Sequence, residues 1–432
     1  MTHQIGALSP TAFLVFSIIK VVVIFTIWLL IVAGLTLAER RIAAFIQDRL
    51  GPNRVGPQGT LQPIADGLKN FLKEETVPAE SSKAYFLLAP MLSMAPALVT
   101  FAVLPIAAPL PTRWGLVPMI IADIPVGILF VMAFASLGVY GLFMAGWSSN
   151  NKYSFLGGVR ASAQMVSYEV ALGLSIVPVF MLVGNVMLTK VVWIQQSGLG
   201  WWLAFPLSLS FFLFVISAFA EANRLPFDMP EAESELVAGY HAEYSSMKFA
   251  MFMLGEYAHV TTSSALMATL FWGGWDIPFW RGDNMVMTAA GVVTGAAPAW
   301  WKTVLTAGMF FAKTLTFTFV FIWVRWTVPR FRYDQIMDLG WKVMLPTALG
   351  YVTLIAVAIL ALQSFGVTYG SFWFGAVLTA VSVLATVVFF WLVDNNRVLR
   401  GGSAMRRDRL ERRSEGASVP VPHAGAAAGQ GD

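Results

Sequence analysis

Long apolar stretches alternate along the chain with shorter polar connections. Stretches of about 20 apolar residues match the length that an α-helix needs to cross a bilayer. The predicted spans cover residues 13–38, 84–106, 118–143, 164–187, 203–221, 248–273, 303–325, 344–363 and 372–393. The pattern therefore indicates an all-α polytopic membrane protein with about nine transmembrane helices.

The polar connections carry an asymmetric distribution of positive charge. Lysine and arginine are frequent in 39–83, 144–163, the connection after span seven and the C-terminal tail. The connections on the other side contain few basic residues. Because basic connections stay in the cytoplasm, we predict an external N-terminus and a cytoplasmic C-terminus. Within the first of these connections, apolar residues at helical spacing over 61–73 predict a short amphipathic helix on the membrane surface.

Composition supports a membrane protein and excludes several functions. The 432 residues are 57% hydrophobic and only 12% charged, against about 25% charged in soluble domains. The net charge of +4 is explained by membrane topology, so nucleic acid is not expected as a partner. The absence of cysteine excludes disulfides and cysteine-ligated iron–sulfur or zinc sites in this chain. No dinucleotide fingerprint is present, so a redox cofactor would have to lie on a partner.

Acidic residues are concentrated in one connection and at its two membrane ends. Bases in the same stretch are Arg224 and Lys248. Like charge and scarce water favour protonated carboxyl groups, which suits proton transfer and charge coupling. The acids are Glu221, Asp228, Glu231, Glu233, Glu235, Glu243 and Glu256. Asp228 followed by Glu231 predicts a helix that starts there and runs through Glu235 toward Tyr240.

Two acids are expected within the membrane. Glu169 lies about five residues into span four and Glu256 about eight into span six, roughly 8 and 12 Å below the boundary. Each needs a partner, water or a proton at that depth. The alternative is a neutral acid that only hydrogen-bonds across helices. Lys313, central in span seven, would either pair with an acid or extend toward the interface.

Four motifs resemble the H-subunit family of the proton-pumping NADH–quinone oxidoreductase, respiratory complex I. The first joins AERR at 38–41 to GPNRVGP at 51–57 and LQPIAD at 61–66. The others are RASAQMVSYE at 160–169, EANRLPFD at 221–228 with GEY at 255–257, and RWTVPRFRYDQ at 325–335. The resemblance extends from about 13 to 363. The family usually has eight spans, so the span at 372–393 is an addition.

The resemblance implies a role for particular residues. Residues implied to line or shape a quinone chamber are Glu39, Arg40, Arg41, Arg54, Asp66, Phe227, Arg330 and Arg332. Residues implied to relay protons or charge are Glu169, Glu221, Glu231, Glu233, Glu235, Glu243 and Glu256. No metal site is expected. Either ubiquinone or menaquinone fits these residues.

The resemblance also implies an assembly. Flavin mononucleotide and iron–sulfur clusters would lie on soluble partner subunits at the cytoplasmic face, with membrane-arm subunits alongside and lipid around the chain in a bacterial cell membrane. The expected organisation is a quinone-chamber unit at 1–363, an additional helix at 364–399 and a basic tail at 400–432. Two other interpretations remain open from the sequence: a stand-alone cation or proton transporter, and a docking platform whose acids are inert.

Overall fold

The computed structural model describes residues 2–4, 9–197, 202–230, 236–280, 282–283, 285–287 and 292–394. Most of these residues are helical. The helices are α1 (Pro10–Ile46), α2 (Gln62–Leu72), α3 (Lys83–Val99), α4 (Gly127–Ser148), α5 (Lys152–Val183), α6 (Leu188–Ser197), α7 (Ser208–Glu221), α8 (Ser246–Phe271), α9 (Trp300–Thr327), α10 (Tyr333–Asp338), α11 (Leu345–Ser364) and α12 (Phe372–Asp394). A π-helical turn, Leu339–Met344, joins α10 to α11.

Two small sheets correct the all-α prediction. The strands are β1 (Thr2–Gln4), β2 (Ala107–Thr112), β3 (Gly115–Met119), β4 (Met285–Met287) and β5 (Val292–Gly295). Strands β2 and β3 form an antiparallel hairpin, and the other three form a sheet in the order β1-β5-β4. Lys20 of α1 donates to the carbonyls of Pro118 and Ile120 at 3.1 and 2.8 Å, which ties α1 to the end of the hairpin.

Every predicted span overlaps a helix, but the count of nine stays a prediction. Among the described residues, seven helices are long and apolar enough to cross a membrane, as expected of a polytopic membrane protein. Helix α7 has 14 residues and is shorter than a span, while α8 has 26 residues but is too polar to count by composition. The orientation of the termini likewise stays a prediction.

The predicted connection at 144–163 is wrong. Helix α4 continues to Ser148 and α5 begins at Lys152, with Asn151 as its N-cap. The Asn151 side chain accepts from the Tyr153 amide at 2.9 Å and so satisfies an amide of the first turn. The residues in this part of the chain are too polar to be recognised as part of an apolar run, so the helix was not predicted from the sequence. Because span four starts earlier than predicted, Glu169 also lies much deeper along its helix than expected.

The predicted amphipathic helix is confirmed as α2. Its apolar side is exposed, with Ile64 at 68% and Phe71 at 72% of full accessibility. The membrane helices form the core: α4 packs between α3 and α5, while α8 contacts α3 and α9.

Helix α12 is held against the bundle by buried hydroxyl groups. Ser382 is hydrogen-bonded to Tyr351 of α11 at 2.8 Å and donates to the Pro206 carbonyl at 2.5 Å. One turn further, Thr386 lies 3.0 Å from the Ser208 hydroxyl of α7. Small hydroxyl residues commonly join helices within membranes, so these contacts fix the position of α12.

Candidate functional site

A buried charge cluster forms where α1, α8 and α9 meet the chain after α7. Glu39 of α1 is 6% exposed and forms an ion pair with Arg325 at the end of α9. A second oxygen of Glu39 lies 3.7 Å from Arg224 and accepts from the Tyr257 hydroxyl at 2.5 Å. The Arg224 guanidinium also lies over the Tyr257 ring, 4.4 Å from its centroid. One carboxylate is therefore held by two arginines and a phenol.

Arg224 links this carboxylate to a second one on α8. Its other terminal nitrogen lies 3.4 Å from Glu256, which also accepts a hydrogen bond from Tyr240 at 3.0 Å. Arg224 is 7% exposed. We call Glu39, Arg224, Glu256, Tyr257 and Arg325 the charge cluster. Charges buried this deeply are tolerated because each acid has a basic partner.

A small cleft opens beside the charge cluster. Its enclosed volume is only about 10 Å³, and its lining combines Glu39, Arg224 and Arg325 with apolar residues such as Leu35 and Phe321. That is space for about one water molecule. The cleft therefore brings charged and apolar groups together but is closed to a larger ligand in this conformation.

A second polar region lies deeper between α4, α5, α7 and α8. A small cavity of about 20 Å³ is lined by Glu221 of α7 and His259 of α8 among mainly apolar neighbours. Glu169 of α5 lies beside it, accepts a hydrogen bond from Ser136 and interacts electrostatically with Glu221. We call this cavity, with Glu169, the acid pocket. Among the described residues, neither of its two acids forms an ion pair with lysine or arginine.

Helix α8 contributes to both regions within one turn. Glu256 and Tyr257 belong to the charge cluster, whereas His259 lines the acid pocket. Gly138 of α4 leaves room for the imidazole, since a Cβ placed there would lie 3.4 Å from Nε2 of His259. The two regions are thus neighbours along the helix axis.

The turn that carries Tyr240 is pressed directly onto α5. A Cβ at Gly157 would lie 2.7 Å from the Tyr240 amide nitrogen and 2.8 Å from the Gly239 Cα. Only glycine permits this approach of two backbones. Next to this turn, burial raises the pKa of Tyr244 to about 12, so its hydroxyl stays protonated and donates to the Phe86 carbonyl at 3.2 Å.

Residues predicted for a quinone chamber occur in separate contacts around the same end of the bundle. Arg330 pairs with the buried Asp228 at 2.9 Å. Phe227 is buried, with its ring centroid 5.7 Å from that of Phe331 and 5.5 Å from that of Tyr168. These contacts join the segment after α9 to the segment after α7.

Other predicted chamber residues lie around the first connection. Arg40 and Asp66 form an ion pair at 2.6 Å between the end of α1 and α2. Arg41 donates to the Gln58 carbonyl. Arg54 and Arg332 are exposed, and Glu39 belongs to the charge cluster rather than to these outer contacts.

Gln164 of α5 holds the segment after α7 in place. Its buried side-chain amide donates to the carbonyls of Ala220 and Phe227, both at 2.7 Å, and lies 3.2 Å from the Asn223 oxygen. Arg224 lies within the loop that these bonds span. A single neutral side chain thus positions the arginine that bridges the two acids.

The remaining predicted relay acids are not all in described parts of the chain. Glu243 is half-buried and accepts from the Asn151 amide at 2.7 Å, away from the charge cluster. Glu231, Glu233 and Glu235 lie outside the described residues, as does the middle of the predicted helix from Asp228 toward Tyr240, at 231–235; its last part, Gly239–His241, is a 3-10 turn. The structure brings together Glu39 with Glu256, and Glu169 with Glu221.

Sequence reasoning missed the groups that organise these acids. From the sequence, Arg224 is only a base in the acidic stretch, and the other missed residues are Arg325, Tyr257, Tyr240, His259 and Ser136. Arg224 and Arg325 each lie at the end of a predicted span, next to an acid or inside a family motif, and this position in the sequence could have identified them.

Lys313 donates to the carbonyls of Trp272 and Asp276, both at 2.6 Å, and lies over the Trp202 ring.

Comparisons with known proteins place these residues in one family. The family model described as NADH dehydrogenase matches residues 19–358. The chain is 45% identical over 340 residues to NADH-quinone oxidoreductase H subunit 1 of Cytophaga hutchinsonii, covering 79% of this chain and 95% of that one. It is 48% identical over 341 residues to the corresponding H subunit of Leptospira biflexa, covering 77% and 91%. It is 46% identical over 351 residues to H subunit 2 of Geobacter metallireducens, covering 79% and 94%.

Proposed function

The chain belongs to the NADH dehydrogenase family, among relatives named as the H subunit of NADH-quinone oxidoreductase, and from that premise we propose that it couples quinone reduction to proton translocation. The observation that carries the proposal is the buried link from Glu39 through Arg224 to Glu256, beside the acid pocket. Buried acids in a membrane protein are costly and are kept where they serve ion or proton transfer.

Quinone binding is the first step of the proposal. The lining of the cleft beside the charge cluster combines charged and apolar side chains, which suits the polar headgroup and apolar tail of a quinone, and its walls would have to separate to admit one. The contacts of Arg330 with Asp228 and of Phe227 with Phe331 shape the outer wall. Arg40, Arg41, Arg54, Asp66 and Arg332 form the approach to it.

The coupling step follows from the charges. Reduction of a quinone to a quinol consumes protons, which alters the charge next to Glu39 and Arg325. Because Arg224 contacts both Glu39 and Glu256, a change at one carboxylate alters the field at the other. Glu221 and Glu169 in the acid pocket then take up or release a proton. Glu231, Glu233, Glu235 and Glu243 belong to the same relay in this proposal.

The assembly follows from the same premise. Electrons reach the quinone from NADH through flavin mononucleotide and iron–sulfur clusters on soluble partner subunits, since this chain has no cysteine ligands. We propose that these partners dock at the cytoplasmic side of a bacterial cell membrane and that membrane-arm subunits lie alongside. The quinone-chamber unit is 1–363, followed by the additional helix at 364–399 and the basic tail at 400–432.

The test is Glu256→Gln in the intact complex. The variant removes a charge but keeps the shape and a hydrogen-bond acceptor for Tyr240. We expect coupled NADH–quinone turnover to fall at least about tenfold, within the range for loss of a coupling interaction between two sites, because the charge that transmits the field from Arg224 to α8 is removed. Oxidation of NADH by a soluble artificial acceptor, measured on the same preparation, should stay at the wild-type rate because it does not use this chain.

The matched control is Glu80→Gln, which neutralises an acid near the protein surface that accepts a hydrogen bond from Asn150 at 3.2 Å. It should leave both activities unchanged. Wild-type quinone turnover in assembled Glu256→Gln complex would contradict the proposal. An equal decrease of both activities would indicate that the substitution acts on assembly and would also count against a relay role.

A further inference from the structure

An open groove runs between α11 and α12 at one end of the bundle. It has a volume of about 390 Å³, which is within the usual range for a small-molecule site. Gly350 and Leu354 of α11 form one wall, and Leu384, Val388 and Leu392 of α12 form the other. Since both helices are apolar and long enough to span a membrane, the groove lies in the hydrocarbon layer.

The groove offers an occupant apolar contact only. Its two hydroxyl groups are already engaged, because Thr347 donates to the Val343 carbonyl at 2.5 Å and Tyr351 bonds Ser382 at 2.8 Å. A ligand that required a hydrogen-bond donor from these hydroxyl groups would find none free. A hydrocarbon chain has no such requirement and gains from burial against branched side chains.

The shape of the groove fits a flexible chain better than a second helix. Helix–helix contacts in membranes are rich in small residues that let backbones approach. Here the walls are large and exposed, with Leu384 at 67% and Val388 at 45% of full accessibility. A Cβ built on Gly350 has no other atom within 4 Å, so there is open space beside the α11 wall of the groove.

Positive charge is available at the end of the groove. Lys342 precedes α11, pairs with Asp338 at 2.6 Å and keeps 59% of its side chain exposed. After α12 the sequence continues with Arg397 and Arg400, which lie outside the described residues. Basic groups next to a membrane helix attract anionic headgroups.

We propose that this groove binds an acyl chain of an anionic phospholipid, with the phosphate next to Lys342. The wall formed by α12 begins at Phe372, beyond residue 358 where the family match ends. One wall of the site is therefore supplied by the part of the chain beyond the family match, and the other by α11 within it. The site does not depend on the function proposed above.

The test is Gly350→Leu, which fills the groove without meeting any protein atom at its Cβ. Leucine is also a better helix former than glycine, so folding is not threatened. The purified complex is stripped of lipid, mixed with phosphatidylglycerol and examined by native mass spectrometry. We expect phosphatidylglycerol bound to this chain to fall at least about tenfold, because the new side chain occupies the space of several methylene groups.

The matched control is Gly308→Leu in α9, where a Cβ likewise meets no atom within 4 Å but no wall of the groove is altered. It should bind phosphatidylglycerol as the wild type does. A second variant, Lys342→Gln, should reduce the preference for phosphatidylglycerol over phosphatidylethanolamine severalfold while leaving total lipid binding nearly unchanged.

A cysteine introduced into this chain, which has none of its own, identifies the occupant from the crosslinked products of this chain. Val388→Cys introduces the only cysteine of the chain, and it can carry a photoreactive label. Crosslinking to phospholipid supports the proposal. It is overturned if the label captures a neighbouring protein helix or a quinone instead, if Gly350→Leu binds phosphatidylglycerol like the wild type, or if Lys342→Gln keeps full headgroup preference.

Discussion

The charge cluster and the acid pocket hold the same kind of side chain under opposite electrostatic conditions. In the charge cluster, Glu39 and Glu256 each contact an arginine. In the acid pocket, Glu169 and Glu221 repel each other electrostatically, and among the described residues neither forms an ion pair with lysine or arginine. An acid with a buried basic partner is a fixed charge, whereas an acid without one is suited to exchange a proton.

Acid density alone therefore does not identify a proton carrier. All four glutamates lie in or at the ends of apolar helices, yet the arginines separate them into two roles. The charge cluster is expected to contribute mainly to stability and field transmission, and the acid pocket mainly to proton transfer. Substitutions in each region should separate these two roles.

The largest effect on stability is expected from Arg224→Gln, because it removes the positive charge that lies next to two buried carboxylates, Glu39 and Glu256. Breaking a buried ion pair from one side costs about 3–5 kcal/mol. We expect strongly reduced assembly, measured as the yield of intact complex per unit of membrane protein. In the double variant Arg224→Gln, Glu256→Gln, one uncompensated charge is removed, and part of the yield should return. If the double variant assembled no better than the single variant, the proposed difference between the charge cluster and the acid pocket would be contradicted.

An intermediate effect, on turnover rather than stability, is expected from Glu221→Gln. The substitution removes a proton-exchanging group without unpairing any arginine, so the yield of complex should stay near that of the wild type. Quinone-coupled turnover should fall about tenfold or more, while oxidation of NADH by a soluble acceptor is unchanged. If Glu221→Gln instead lowered the yield as much as Arg224→Gln does, the two regions would not differ as described.

The smallest effect is expected from Tyr240→Phe. It removes the 3.0 Å hydrogen bond to Glu256 but leaves Arg224 in place. A single hydrogen bond contributes about 1 kcal/mol, so the midpoint of thermal inactivation should fall by a few degrees at most, with turnover reduced less than about threefold. Tyr153→Phe, at an exposed position on α5, is the control and should change neither quantity.

The sequence allowed the helices and the acids to be predicted, but not the partners of those acids. Each predicted span overlaps a helix, because apolar runs mark segments that satisfy their backbone internally, but only seven of the described helices are long and apolar enough to cross a membrane. The connection at 144–163 was mispredicted because a helix that extends beyond the apolar layer becomes polar, as α5 does from Lys152. The hairpin β2–β3 was missed because its residues are as apolar as the helices around them.

The site required distances that sequence spacing does not contain. Glu39 and Arg325 are far apart in the chain, and their contact depends on α1 packing beside α9. Similarly, Arg224 and Glu256 lie in one acidic stretch, but nothing in the spacing showed that the arginine would bridge two acids on different helices. The family motifs marked these positions without specifying which residues touch.

The glycine at 157 has a consequence for how the protein can change. Because any side chain there would separate α5 from the turn of Tyr240, the position has no acceptable substitute, whereas Gly34 and Gly308 have free space around them. We therefore expect substitutions to be tolerated at Gly34 and Gly308 but not at Gly157. In a library that randomises all three positions and selects for growth by respiration, codon diversity should survive at 34 and 308 and disappear at 157.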